Sequence, residues 1–138
     1  MKFTLALTAA ILVSGTAYAN EEGGGPFAVI VNHGNQTEEV GPGTLRGIFG
    51  GTITDWSGVE ESGMTGPILA LRLVDSHPVT QAFVNRIQLT RFGNSINVIR
   101  GSAAPMIIAI VVAMNSRAIG VDDPAAIISG DRRLEIDD

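Results

Sequence analysis

Two short apolar runs, residues 27–32 (FAVIVN) and 67–73 (PILALRL), bracket a stretch, residues 44–56 (TLRGIFGGTITDW), whose apolar side chains recur with helical spacing. Leu45, Ile48 and Phe49 stand at i, i+3 and i+4, and the pair Gly50-Gly51 supplies residues that accept positive φ and end a helix. A helix of about two turns is not stable alone in water, so its Leu/Ile/Phe face has to dock on a core. Residues 52–56 then turn the chain. They carry its only Trp, Trp56, which is expected to pack where the turn meets the core with its N–H on a carbonyl. Strand, docked helix, turn and strand constrain the chain to layers of helix on sheet.

The remainder extends that pattern. Residues 33–43 are expected to be a polar loop and residues 57–66 a surface loop. Asp75 or Ser76 is expected to cap a helix with Pro78 in its first turn and Val79, Ala82, Phe83 and Ile87 on its buried face. Residues 95–99 form a short strand in this reading. Ser102 is the expected N-cap, and Pro105 an early-turn proline, of a helix over 103–114 that ends near Asn115. That helix is apolar almost all round through Ile107, Ile108, Ile110, Val111 and Val112, and at roughly twelve residues it is too short to span a bilayer. It is either covered on several sides or presents its outer face to a partner. A strand over 118–121, a helical turn over 124–128 and an alternating strand over 133–136 complete an α/β fold, with a central mixed or mostly parallel sheet flanked by helices. No internal repeat or linker divides residues 27–137.

Composition bounds the setting. Lys2, the apolar run 5–13 and the small-x-small triplet Ala17-Tyr18-Ala19 predict a secretory signal over residues 1–19, cleaved after Ala19, hence a periplasmic or secreted protein. Residues 20–26 (NEEGGGP) read as a flexible lead-in and residues 27–138 as one α/β domain. The absence of cysteine excludes disulfides, thiolate metal sites and a lipid-anchoring Cys. Removing Lys2 takes the formal charge from −5 to −6, which disfavours nucleic acid and anionic lipid as partners and forces any anion site to be built locally.

In sequence order, Thr44-Leu45, Ile48-Phe49, Gly51, Ile53-Thr54, Trp56, Arg72, Ser76 and then Asn115, Ala118, Ile119 and Gly120 match a recurring pattern. This pattern resembles the periplasmic phosphate-binding proteins of ABC transporters, over roughly residues 27–121. The resemblance implies one lobe of a type 2 periplasmic-binding-protein fold, in a single-lobe short form, because nothing in residues 20–26 supplies the anion loop and Asp of the family's first lobe. It implies a phosphate or related oxyanion held by helix N-terminal amides, hydroxyls and a guanidinium, with Arg72, Asp75, Ser76, His77 and Thr80 as the ligand-binding set. His77 and Pro78 stand where the family has Gly and Thr, and Pro78 removes one N–H and one hydroxyl. The partners implied are inorganic phosphate and an ABC transporter permease, or self-association.

The bland readings run alongside. Arg72 is equally a strand-end arginine paired with a carboxylate, and Ser76 with Asp75 an ordinary helix cap. Arg100-Gly101-Ser102 reads as a simple helix start before it reads as an anion cradle. His33 and His77 lack metal-ligand spacing, so neither a metal nor a cofactor is expected. Without a nucleophile elbow, phosphate loop or dinucleotide fingerprint, the expectation is a binding protein rather than an enzyme. The alternative function is an interaction or scaffold module that has lost its ligand.

Overall fold

The computed structural model describes residues 24–137. The signal expected over residues 1–19, the first part of the lead-in and Asp138 lie outside the described residues. Six strands, β1 (Ala28–Asn32), β2 (Glu39–Val40), β3 (Leu69–Leu73), β4 (Asn97–Ile99), β5 (Ala118–Asp122) and β6 (Asp131–Ile136), form one sheet in the order β2-β6-β1-β5-β3-β4. Strand β1 runs antiparallel to both β5 and β6, while β3 is parallel to β4 and β5 and β2 is parallel to β6, so the sheet is mixed. Every residue of β1 and β5 is buried, as expected of continuous apolar runs in the middle of a covered sheet. Three helices flank it: α1 (Pro42–Gly50), α2 (Pro78–Ile87) and α3 (Ala104–Met114).

Helix α3 crosses one face of the sheet above Gly120. A Cβ built on Gly120 would lie 2.7 Å from Ile108 Cγ2 and 3.4 Å from Val112 Cγ2, so the Gly is what lets the helix sit down on β5. Its far end is tied by Asn32, whose Nδ2 donates to the carbonyls of Val112 (2.9 Å) and Ala113 (3.0 Å), two acceptors that the helix cannot satisfy internally. Asn115 makes the return turn: its Oδ1 accepts from Arg117 N and its carbonyl from Ala118 N, both at 3.1 Å. The Asn-x-x-Ala-Ile-Gly pattern is thus a turn, a strand start and a packing hole.

Leu71 and Gly120 are register partners in parallel strands, so Arg72, one residue on, belongs to the opposite face. That face is closed by α1, α2 and an aromatic cluster in which Phe83 meets Phe49 and Phe27 edge-on at 5.1 and 5.6 Å. Arg46 Nη1 donates to the last-turn carbonyl of Ile87 at 2.8 Å, joining α1 to the end of α2. Trp56 is buried, and its Nε1 donates to Arg117 O at 2.9 Å, as expected of the turn residue.

The helix starts differ from expectation. The cap of α2 is His77, whose Nδ1 accepts from Val79 N at 3.1 Å, in place of Asp75 or Ser76. Pro78 takes the first helical position, which makes residue 77 the cap. The cap of α3 is Ala103 with no side-chain bond, because a tight turn at Gly101 (φ +100°), closed by Ala104 N to Gly101 O at 3.1 Å, postpones the helix past Ser102. In the stretch read as a polar loop, β2 is held by Glu135 N to Glu38 O and Asp137 N to Val40 O, both 3.0 Å. The Arg132 guanidinium donates to the carbonyls of Asn35 and Thr37 and draws that segment onto β6.

Filling the hole under α3 tests this packing. Gly120→Val is expected to lower the unfolding free energy by about 1–3 kcal/mol, read as a shifted urea midpoint, since Ile108 and Val112 must move off their rotamers or the helix must lift. An unchanged midpoint would mean that α3 does not need the close approach.

Candidate functional site

The residues singled out from the sequence meet at the C-terminal end of β3. A groove of about 650 Å³ there is lined by Arg72, Asp75 and Thr80 together with Gln81, Val84, Asn85, Leu89, Thr90, Arg91 and Phe92. Three of the five expected ligand residues thus share one surface. Ser76, which is exposed, and His77, which caps α2, are not part of the lining. Thr80 is buried, and its hydroxyl donates to Leu73 O at 3.1 Å, tying the first turn of α2 to the end of β3.

Arg72 is the centre of the groove. Its side chain is only 12% exposed, and its Cζ lies 3.9 Å from the centroid of the Phe92 ring, a cation–π contact that fixes the guanidinium plane. Nη1 donates to Asp75 Oδ1 at 2.6 Å and to the Leu73 carbonyl at 3.2 Å, while Nε is buried without a hydrogen-bond partner among the described residues. The carboxylate that pairs with it is 85% exposed, so the cation is held firmly and its counter-ion loosely.

The opposite wall, Thr90 to Phe92, comes from a part of the sequence with no readable period. Its position follows from glycines. Gly93 N donates to Phe49 O at 2.8 Å, and a Cβ on Gly93 would come within 2.8 Å of the Gly50 carbonyl and 2.9 Å of Gly51 Cα. Gly51 ends α1 in the left-handed region (φ +94°). Gly51, the residue that stops the helix, therefore also admits the backbone that carries Phe92 and Arg91. Arg91, exposed on the rim, adds a second guanidinium that sequence reasoning did not single out.

The start of α2 offers an anion less than its place suggests. Pro78 has no N–H, Val79 N is taken by the His77 ring, and Gln81 N donates to His77 O at 3.1 Å. Only the Thr80 amide is left without a partner among the described residues. No group of three or more His, Asp or Glu side chains among the described residues is arranged to hold a metal. A second groove, about 780 Å³, lies between α2 and strands β1 and β6, where Arg133 Nη2 donates to Phe27 O at 3.1 Å; it contains none of the expected ligand residues.

Among the described residues, three carboxyls depart from their ordinary values. The Ser57 N–H, then its hydroxyl and the Gly66 N–H, hold half-buried Asp55 below the usual range. Burial raises Asp131. Burial also pushes Asp122 up to about 7, against the Asp123 N–H that donates to it at 2.8 Å and with added repulsion from the Asp123 and Asp131 carboxylates. Asp122 is fully buried with Oδ2 unpartnered among the described residues, and it shares the Gly120 side of β5, across the sheet from Arg72. It is a structural group, not a lining of the groove.

The chain aligns with an ABC-type phosphate transport receptor from Vibrio cholerae at 20% identity and a TM-score of 0.71, covering 80% of this chain and 46% of that one. For PstS from Borrelia burgdorferi the values are 16% and 0.66, with 81% and 47% covered. For a phosphate-binding protein from Stenotrophomonas maltophilia they are 17% and 0.60, with 80% and 39% covered. No protein-family model matches the chain, and no curated protein matches it. The fold is therefore the periplasmic-binding-protein type. More narrowly, it is that of part of the phosphate receptors of ABC transporters, of which the chain spans less than half the length.

The Asp122 carboxyl gives a pH prediction whose sign follows from its raised value. The folded state binds the proton more tightly than the unfolded chain, so this group costs nothing below its ordinary 3.8; stability falls as pH climbs from there to about 7 and is flat above. Asp131 acts in the same direction. Asp122→Asn is expected to flatten this slope and to raise stability at pH 8 by roughly 1–3 kcal/mol in urea unfolding. A wild-type stability that rises across the same window would overturn the assignment.

Proposed function

We propose that this chain is an exported oxyanion-binding protein that takes phosphate or a related oxyanion in the Arg72 groove and serves ABC-type uptake through a transporter permease. The observation that carries the reading is the Arg72 guanidinium: nearly buried, over the Phe92 ring, and ion-paired with a solvated carboxylate, on a fold shared with phosphate receptors. An oxyanion would displace Asp75 from Nη1 and gain a fixed cation in a partly desolvated groove. The Thr80 amide and Arg91 are the further donors on this groove, Asp75 is the carboxylate to be displaced, and Ser76 and His77, outside its lining, are the neighbouring residues assigned to the same site by resemblance. In this proposal residues 1–19 are removed on export, residues 20–26 lead in, and residues 27–138 act as one binding domain without catalytic chemistry. Among the described residues no helix is long and apolar enough to cross a membrane.

One observation favours a second reading, an interaction module indifferent to phosphate: large apolar side chains of α3 are exposed. Phosphate binding itself separates the two, since an oligomer is compatible with either. A folded protein that gives no heat with phosphate supports the second.

A groove open on one side has few donors and admits water, so affinity is expected to be weak, on the order of millimolar, or about −4 kcal/mol. Isothermal titration with inorganic phosphate is expected to show saturable heat that Arg72→Ala weakens at least tenfold while the circular dichroism spectrum is kept. Absence of any phosphate heat at millimolar ligand sinks the proposal.

A further inference from the structure

Helix α3, APMIIAIVVAM, has no charged side chain, and its two sides differ sharply in exposure. Ala104, Ile108, Ala109 and Val112 are buried against the sheet. Met106 is 56% exposed, Ile107 40%, Ile110 42% and Met114 82%. At 100° per residue these four fall within one arc of roughly 100°, so they form a continuous stripe along the helix. Ile128, 42% exposed, extends the stripe from a loop whose Gly130 packs against Ala113. Together these side chains leave on the order of 500 Å² of apolar surface in water, at the upper end for a monomer and more than half of the ~800 Å² each partner gives to a stable interface.

Two features decide what covers it. A lipid surface fits poorly: the helix carries no Lys or Arg to face head groups, its other side is already used by the sheet, and the chain is acidic. A second copy fits, because the stripe is its own complement. Ile110 lies midway between Met106 and Met114, four residues from each. A two-fold axis through Ile110 therefore sets Ile110 on Ile110 and Met106 on Met114, with adaptable Met at both ends and the helix dipoles opposed. Two copies of like net charge meet with least repulsion where carboxylates are absent, and this helix is such a place.

We infer that the chain forms a two-fold dimer through antiparallel contact of α3 with its counterpart in a second copy, centred on Ile110. The interface lies across the sheet from Arg72, so dimerisation and the phosphate site are independent. Sedimentation velocity of the purified full chain is expected to show a dimer, and Ile110→Asp to raise the dissociation constant at least a hundredfold. Because the chain has no cysteine, register can be read by cross-linking. Under diamide, Ile110→Cys is expected to link to itself, and Met106→Cys to link to Met114→Cys when the two are mixed but to neither itself nor a control Asn94→Cys. A chain monomeric at 100 µM, a dimer that survives Ile110→Asp, or self-linking by Met106→Cys that exceeds the mixed pair would overturn the inference. Arg72→Ala is expected to leave the dimer intact, which keeps this outcome distinct from failure of the phosphate reading.

Discussion

The structure hangs on the contact between an uncharged helix and the strand position where a side chain is missing. Ile108 and Val112 of α3 enter the space left by Gly120, against Ile30 of the neighbouring strand, and each contributes roughly 1.5–3 kcal/mol by leaving water. Apolar contact alone has no direction, and α3 has neither a side-chain cap at its start nor a polar side chain to set its position. Asn32 supplies the direction. Its amide binds two last-turn carbonyls from a fully buried strand, so the helix can neither slide nor rotate without breaking both bonds in the interior.

On the other face, the interaction that distinguishes the groove is the burial of a cation in an acidic chain. Desolvating a guanidinium is costly, and a single exposed carboxylate offsets little of that in high dielectric. The Phe92 ring supplies part of the remainder, and it reaches Arg72 because two glycines, Gly51 and Gly93, let two backbones approach closely. A positive site on a negative protein has to be assembled in this local way, from a stacked arginine and an amide rather than from a basic surface.

Most of the framework was legible because it obeys simple periods. The i, i+3, i+4 face of α1, the β-branched run of β1 and the proline-opened helices at 78 and 104 follow from side-chain spacing and fixed φ. What escaped depends on partners distant in sequence. The two residues of β2 are a strand only because β6 lies beside them, and Arg132, far along the chain, anchors that loop. Phe92 and Arg91 join the site through a backbone contact with α1 that no local pattern encodes. The caps were misplaced by one or two residues because several polar candidates stood in a row, and the geometry of Pro78 and Gly101 chose among neighbours.

Both faces are finally governed by one choice of register. Strand side chains alternate, so once Gly120 must lie under α3, its partner Leu71 takes the same side and Arg72 emerges on the other. A slip of one residue in β3 would place the guanidinium beneath a helix that has nothing to pair it, and would turn Leu71 and Leu73 out toward the groove. The small residue under α3 thus selects the face on which the only nearly buried, stacked arginine of the groove can exist. The apolar stripe of the helix is left, by the same geometry, pointing away from it.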